Sequence, residues 1–450
     1  MAGSAFWRWA PSGLAFLIAV AHAPVAGAPQ AQGAGAEWPT TVIPKTSAKS
    51  EPPETPAAAE KQAKPPAKGP VAIATAAGLD GDEQRTSFRL ELSKGVTAEI
   101  FPLANPYRVV VDLPDVTFEL PSVAGREERG LVKTFRYGLF AEGKARIVID
   151  TTGPVRIERA AMAAAARAKG IVFTFDLLPT APEVFGMGTG AARQEKAHPK
   201  PNIKEEVIAK PKNRGKTVVM IDPGHGGIDG GAVGSTHLLE KNVVLAVGKE
   251  LRKALSASGR YDVRMTRTSD VFISLDQRLA ASQKSGTELF ISLHADSLAD
   301  AGYTQSIRGA TVYTLSERAS DEQARLMAEK ENASDLVAGL VATDSEGSDQ
   351  VRNILFDLMK RETANFSADF SNVLVRKFKG ALTLSRDPQR SAAFKVLKQT
   401  HAPSVLVELG YLSHLEDEKL LNTPQWQKQA AASIAAAVDA YFSKRTVSTP

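Results

Sequence analysis

Cysteine is absent from this chain of 450 residues. Without thiols the chain can form neither a disulfide framework nor a thiolate metal site, so any metal site must use histidine and carboxylate ligands. The chain also has no large excess of charge, because 55 Lys and Arg residues against 50 Asp and Glu residues give a net charge of +5. This balance favours an anionic partner but does not indicate binding to nucleic acid.

Long apolar runs are missing as well, apart from one near the N-terminus. We interpret residues 1–36 as a signal peptide, because Arg8 is followed by the apolar run Gly13–Ala23, which is too short to span a bilayer. Cleavage is expected after the small-residue pattern Ala34-Gly35-Ala36. The alternative is an uncleaved N-terminal anchor. With the signal removed, we expect an exported protein without stable membrane insertion.

Composition divides the rest of the chain into folded parts and linkers. Residues 37–83 are rich in Pro, Ala and Lys and lack hydrophobic periodicity, which predicts a disordered tether. Residues 84–178 contain alternating apolar runs broken by turn residues, which predict a small β-sandwich. Residues 179–216 form a second linker, and its length as a flexible coil predicts that the two folded parts reorient freely.

Strands and helices alternate from residue 217 to residue 445. This alternation indicates an α/β domain whose mostly parallel sheet is covered by helices on both faces. Ligands of such sheets bind beyond the carboxyl ends of the strands. Four polar residues are predicted to reach that edge. They are His225, His294 and Glu408, each at the end of a strand, and Glu240 at the start of the first helix.

These four residues together predict a catalytic zinc site. Two imidazoles and one carboxylate, here His225, His294 and Glu240, hold zinc with one position left open, whereas calcium and magnesium prefer oxygen ligands. Each residue alone would be unremarkable as a loop histidine or a helix N-terminal charge. Glu408 differs, because a carboxylate in an apolar strand is costly unless it is paired or functional. It is the candidate for moving a proton during hydrolysis.

The motifs around these residues resemble a known family. MIDPGHGG, the Glu of LLEKNVVL, SLHAD and VELGYLS look like the zinc-dependent N-acetylmuramoyl-L-alanine amidases of the Amidase_3 family, and MTRTSDVFISLDQR resembles that family's middle motif. FRLELSKGVTAEIF, PYRVVVDLP and RIVIDTTGPV resemble the AMIN domain, a β-sandwich that localises such enzymes on the cell envelope.

The resemblance implies a substrate and a place in the cell. The substrate is peptidoglycan, cleaved at the amide between N-acetylmuramic acid and L-Ala, with Glu408 as general acid–base. The enzyme is then expected in the periplasm, enriched at the division septum, where it remodels the wall and separates daughter cells. Two alternatives are a wall-binding protein with a degenerate amidase domain and a zinc peptidase that acts on stem peptides or proteins. The presence of all four site residues argues against the first alternative.

The segment between His294 and Glu408 is far longer than the ~30 residues of a single βαβ unit. It is predicted to hold a helical insertion at about residues 316–380, in which Ser320 and Gln323 form a capping box at the start of a helix. The insertion is either an extra helical layer or a regulatory helix that covers the cleft. The resemblance to division amidases favours regulation and implies a LytM-type activator. The candidate blocking ligands, in order of preference, are Glu331, Glu329 and Glu322.

Overall fold

The computed structural model describes residues 71–121, 123–165, 170–186, 215–297, 307–340, 353–399 and 401–447. The predicted signal peptide and most of the predicted tether and second linker lie outside these ranges. All the described residues belong to a single compact unit. Among the described helices, none has both the length and the apolar character needed to cross a membrane.

The N-terminal folded part is a β-sandwich of two sheets. One sheet has five strands in the order β5-β1-β2-β9-β8, and the other has four in the order β3-β4-β7-β6. The strands are β1 (Ala72–Gly81), β2 (Thr86–Leu92), β3 (Glu99–Leu103), β4 (Arg108–Pro114), β5 (Val116–Phe118), β6 (Val132–Ala141), β7 (Lys144–Thr151), β8 (Val155–Ala164) and β9 (Ile171–Pro179). Alternate residues face the core between the sheets, where Phe88 packs against Phe135 and Phe175.

Strand β1 corrects a predicted boundary. It covers Ala72–Gly81, within residues 37–83 that were predicted to be a disordered tether, and it pairs with β2 and β5. Its inward positions include Ala72 and Ala74, which are fully buried. Alanine is small and common in loops as well as in cores, so these positions gave no hydrophobic alternation. The sandwich therefore starts before residue 84.

The C-terminal part is an α/β domain around a six-stranded sheet in the order β11-β10-β12-β15-β13-β14. Its strands are β10 (Thr217–Pro223), β11 (Tyr261–Met265), β12 (Leu289–His294), β13 (Ala310–Leu315), β14 (Leu384–Ala392) and β15 (Ser404–Glu408). Strands β13 and β15 pair antiparallel, and the other neighbouring pairs are parallel. The predicted fold class is confirmed.

Helices cover both faces of this sheet. They are α1 (Glu240–Ala257), α2 (Leu275–Lys284), α3 (Glu322–Asn332), α4 (Ser334–Val337), α5 (Asn353–Phe378), α6 (Leu415–Leu421) and α7 (Pro424–Val447). Helices α1, α5 and α7 share one apolar core on one side of the sheet. Ala324 and Met327 of α3 belong to a separate cluster with the sheet residues Met220 and Phe290.

The predicted insertion contains helices α3 and α5, which pack in different apolar clusters, and the strand β14 follows it. Helix α5 is a structural layer, because Phe370, Val373, Leu374 and Phe378 are buried in the core. Strand β14 was not predicted, since its sequence LSRDPQRSA is mostly polar, as is common in a strand at the edge of a sheet.

The start of α3 also differs from the prediction. The carboxylate of Asp321 accepts a hydrogen bond from the backbone N–H of Ala324 at 2.9 Å, so Asp321 is the N-cap. The predicted capping box of Ser320 and Gln323 is therefore wrong. Asp and Ser are nearly equivalent N-cap residues, and the sequence alone favoured neither strongly.

The sandwich packs against the α/β domain. Phe140 of β6 stacks on Phe272 with 5.8 Å between ring centroids, and the N–H of Ile228 donates to the carbonyl of Leu139 at 3.2 Å. The prediction that the two parts reorient freely is wrong for this structure. A linker's composition determines how far two domains can separate, but their facing surfaces determine whether they associate.

Candidate metal centre and active site

His225, Glu240 and His294 meet at one edge of the six-stranded sheet. One nitrogen or oxygen atom from each side chain lies within 4.8 Å of the other two, and all three residues are buried. A Glu240 carboxylate oxygen lies 3.2 Å from Nε2 of His225, and the other lies 3.2 Å from Nδ1 of His294. The neighbouring parallel strands β10 and β12 deliver the two histidines, and the N-terminus of α1 delivers the glutamate.

Two glycines allow this close approach. A Cβ atom on Gly231 would lie 2.7 Å from both Glu240 and the ring of His225, and one on Gly224 would lie 2.5 Å from the ring of His294. His225 itself has a φ of +55°, in the left-handed region that residues other than glycine rarely adopt. Such backbone conformations concentrate at functional sites, where surrounding contacts maintain them.

Hydrogen bonds orient the candidate ligands. Asp229 lies 2.8 Å from Nδ1 of His225, which leaves Nε2 facing the centre of the cluster. Glu240 accepts hydrogen bonds of 2.8 Å from the backbone N–H groups of Ala232 and Ala295. Outer partners of this kind fix the ring orientation and tautomer of a metal-binding histidine.

A buried ion pair supports the loop that carries His225. Arg278 donates to Asp222 at 2.6 Å and to the backbone carbonyl of His225 at 2.8 Å. Asp222 also accepts from the hydroxyls of Thr266 and Ser292. Burial would raise the pKa of the Asp222 carboxyl, but Arg278 and these hydroxyls keep it below its usual value. Asp222 and Arg278 therefore both remain charged beneath the site.

Glu408 lies beside this cluster at the end of β15. It is paired with His294 in the β12–β15 ladder, and its Oε2 accepts from the backbone N–H of Asp296 at 3.0 Å. Its Oε1 is buried and has no hydrogen-bond partner among the described residues. Burial, followed by the charges of Asp296, Glu240 and Glu331, raises the pKa of Glu408 well above its usual value. A carboxyl with such a pKa can hold and release a proton.

Of the three candidate blocking residues, the structure brings only Glu331 into the cluster. Its Oε2 lies 3.1 Å from Nδ1 of His294 and 3.4 Å from Nε2 of His225. Burial raises the pKa of Glu331 to about 7, although the two imidazoles lower it. Glu322 and Glu329 are exposed and pair with Arg325 instead.

The donor set and its charge fit a zinc ion. Burial lowers the pKa of His225, yet the carboxylates of Asp229, Glu240 and Glu331 raise it well above the usual value. This shift means that the surroundings of the imidazole favour positive charge, which a divalent cation would supply. His225 Nε2 and Glu331 Oε1 are buried atoms without hydrogen-bond partners among the described residues. Two nitrogens and a carboxylate suit zinc better than calcium or magnesium.

Several residues at the site were not singled out from the sequence. They are Asp222, Asp229, Arg278, Asp296 and Lys330, the last of which donates to Asp296 at 2.6 Å. Asp229 could have been suspected, because it follows His225 by four residues in a glycine-rich loop. Asp222, Asp296 and Arg278 lie within the motifs MIDPGHGG, SLHAD and MTRTSDVFISLDQR, but the motifs alone assigned them no role. Lys330 lies in ordinary helix sequence, and only its contacts indicate a role.

Comparison with known families gives two matches. Residues 219–440 match the family model described as N-acetylmuramoyl-L-alanine amidase, and residues 79–175 match the AMIN domain model. The two matches cover the α/β domain and most of the β-sandwich.

Curated relatives carry the same description. The chain is 31% identical over 370 residues to the N-acetylmuramoyl-L-alanine amidase AmiC of an Escherichia coli O6:H1 strain, covering 79% of this chain and 86% of that protein. It is 39% identical over 264 residues to AmiA of Escherichia coli K12, covering 57% of this chain and 86% of that protein. The solved catalytic domain of the amidase CwlV from Bacillus (Paenibacillus) polymyxa var. colistinus is 27% identical, with a TM-score of 0.37 over 50% of this chain and 98% of that one.

Proposed function

We propose a mechanism and a mode of control for this chain, which belongs to the Amidase_3 family of N-acetylmuramoyl-L-alanine amidases. The protein is an amidase that hydrolyses the bond between N-acetylmuramic acid and L-Ala in peptidoglycan. One observation above all supports the proposal: His225, Glu240 and His294 converge beside Oε1 of Glu408, which has no hydrogen-bond partner in the part of the chain that the structure describes.

In this mechanism His225, Glu240 and His294 would hold a zinc ion. When bound, the ion acts as a Lewis acid, which lowers the pKa of water and polarises an amide carbonyl. Asp229 holds the ring of His225 in the orientation that directs Nε2 inwards. Arg278 holds the backbone of the same residue through its carbonyl oxygen. The protein thus presents ligands that need little rearrangement on metal binding.

Glu408 moves the proton. The N–H of Asp296 holds Oε2, whereas Oε1 has no hydrogen-bond partner among the described residues. Oε1 takes a proton from water as the water oxygen bonds to the amide carbonyl carbon. The same oxygen then delivers the proton to the nitrogen of the departing L-Ala, so that the leaving group is a neutral amine. The raised pKa of Glu408 supports this second step, because a weakly acidic carboxyl retains its proton until the C–N bond breaks.

Glu331 inhibits the resting enzyme. Its carboxylate lies next to both imidazoles, where the water and the substrate carbonyl must bind. A carboxylate tethered within the same chain has a high effective concentration, so it competes well with solvent. A LytM-type activator that binds the outer face of the insertion would favour the state in which α3 has left the site.

The β-sandwich targets the enzyme. The match of residues 79–175 to the AMIN domain supports a role in binding the cell envelope. Export by the N-terminal signal would place the protein in the periplasm, and the sandwich would then concentrate it at the division septum. There the amidase would separate daughter cells.

The products of digested sacculi test the proposal. Purified full-length protein with zinc and an activator should release intact stem peptides, detected by mass spectrometry, and much less without the activator. Shortened stems would indicate a peptidase, and an absence of products under both conditions would indicate a wall-binding protein. Either result would contradict the amidase mechanism of His225, Glu240, His294 and Glu408.

A further inference from the structure

The β-sandwich contacts the far end of the segment that carries Glu331. We define the blocking segment as residues 322–340, which include α3 and α4. Arg108, at the start of β4, donates to the carbonyl of Leu336. Arg146 of β7 donates to the carbonyl of Ala338 at 3.1 Å and lies within 3.4 Å of the carbonyl of Gly339. Cationic side chains commonly bind the last carbonyls of a helix in this way.

Both arginines are deeply buried. Arg108 is 1% exposed and Arg146 is 5% exposed. Arg146 is also held by Asp112, with hydrogen bonds of 2.6 and 2.8 Å, so its guanidinium group is oriented from within the sandwich. Buried charged donors are costly unless they find acceptors, and carbonyls of the blocking segment accept from Nη1 of each arginine.

Apolar contacts accompany these hydrogen bonds. Ala338 is fully buried in a cluster with Phe101, Leu103, Val110 and Val148, which lie on the outer face of the four-stranded sheet. A Cβ atom on Gly339 would lie 3.1 Å from Cγ2 of both valines, so the backbone lies directly against the sheet. We call this outer face, with Phe101, Leu103, Arg108, Val110, Arg146 and Val148, the docking face.

Strand β6 of the same sheet also contacts the loop that follows His225. The carbonyl of Leu139 accepts from the N–H groups of Ile228 and Phe272. A Cβ atom on Gly138 would lie 2.6 Å from the backbone of Gly227, which is two residues after His225. The sheet thus bridges the metal-binding loop and the end of the blocking segment.

We propose that the docking face holds the blocking segment in its closed position, so that the sandwich is part of the inhibitory machinery as well as a targeting domain. This inference rests on the proposed blocking role of Glu331. It predicts that a ligand which separates the docking face from residues 336–340 weakens inhibition. Binding of the sandwich to the envelope and release of the active site would then be coupled through one surface.

The α/β domain makes its own contacts with the blocking segment. Lys330 pairs with Asp296, and the carboxylate of Asp335 accepts from the N–H of Leu275. These contacts remain when the docking face is changed. We therefore expect partial activation after loss of the docking face, not the full activation expected after loss of Glu331. Contacts that exist only in the closed state set the population of the open state.

The experiment uses the full-length, zinc-loaded protein without activator. The variant Arg108→Ala/Arg146→Ala should release dye from labelled sacculi at least about tenfold faster than wild type, since a buried hydrogen bond from a charged group is worth roughly that factor. Hydrogen exchange across residues 322–340 should become faster. The control is Arg85→Ala, which removes an ion pair of 3.1 Å with Asp176 of β9, in the other sheet of the sandwich. It should retain wild-type basal activity.

A second variant guards against loss of the sandwich fold. Val110→Ala/Val148→Ala removes contact with Gly339 and leaves both arginines, and it should also raise basal activity and exchange. If Glu331→Ala is activated while both docking-face variants melt normally and keep wild-type activity and exchange, the docking face does not hold the segment and this inference is wrong. If Glu331→Ala itself stays inactive, the blocking role fails and the inference falls with it.

Discussion

The Glu331 carboxylate lies 3.1 Å from Nδ1 of His294, although the two residues belong to different layers of the fold. Helix α3 carries the first, and the central strand β12 ends with the second. Lys330, next to Glu331, pairs with Asp296, two residues after His294. Two consecutive side chains of the blocking segment, Lys330 and Glu331, therefore contact the end of β12 and the loop that follows it.

The metal assignment predicts the effect of removing one imidazole. His294→Ala should abolish stoichiometric zinc binding, because only one nitrogen and one carboxylate would remain in the trio. Elemental analysis after dialysis measures this directly. His401→Ala is the control, since His401 is exposed and lies near Ser282, away from the cluster. Stoichiometric zinc in His294→Ala would contradict the ligand assignment.

The role of Glu408 predicts a separation between binding and turnover. Glu408→Gln should keep zinc but lose activity by roughly 10²–10⁴, the range for loss of a general acid–base. The rate is measured on purified peptidoglycan with activator present. Glu288→Gln serves as a control, because Glu288 borders the opposite end of β12, where it accepts from the N–H of Val218. Near wild-type hydrolysis by Glu408→Gln would rule out the proposed proton transfer.

The blocking role of Glu331 predicts activation by a single substitution. Glu331→Ala should raise dye release from labelled sacculi in the absence of activator, because a tethered competitor of substrate and water is removed. Glu329→Ala changes an exposed carboxylate on the same helix and should leave the basal rate as it is. If Glu331→Ala and Glu329→Ala have equal basal rates, with zinc bound and the fold intact, the insertion has only a structural role.

The ion pair of Arg278 and Asp222 predicts a large loss of stability. Arg278→Met should lower the free energy of unfolding of the α/β domain by about 3–5 kcal/mol, because Asp222 would remain buried and charged without its partner. Arg260→Ala breaks an exposed pair with Asp439 and should cost about 1 kcal/mol or less. Denaturant titrations of the two variants compare these values. Similar stabilities would show that the buried pair is not a main support of the site.

The targeting role of the sandwich predicts a change of location. Deleting residues 71–186 from a fluorescent fusion should abolish enrichment at the septum but retain hydrolysis by the α/β domain, at a raised basal rate because the docking face is lost. Microscopy measures the first effect, and digestion of sacculi measures the second. A truncated fusion that still concentrates at the septum would assign targeting to another part of the chain.

The sequence predicted those features for which the local pattern of residues also determines their position in the fold. His294 and Glu408 each end an apolar strand, and His225 follows another by two residues. Parallel strands place their carboxyl ends along one edge of a sheet. The order of the motifs therefore predicted both the α/β fold and the meeting of these side chains. Strand β14 and the N-cap of α3 were missed because polar edge strands and alternative caps leave only weak local patterns.

The sequence by itself determined the fold class, the amidase family and the residues that converge at the sheet edge, because strand ends and helix starts can be read from the order of apolar and polar residues. The tertiary structure alone decided that Glu331, not Glu322 or Glu329, enters the cluster, since all three lie on one helix and only its packing decides which of them faces inwards. It also decided that the sandwich docks on the blocking segment. That contact depends on complementary surfaces from distant parts of the chain, which no local pattern encodes.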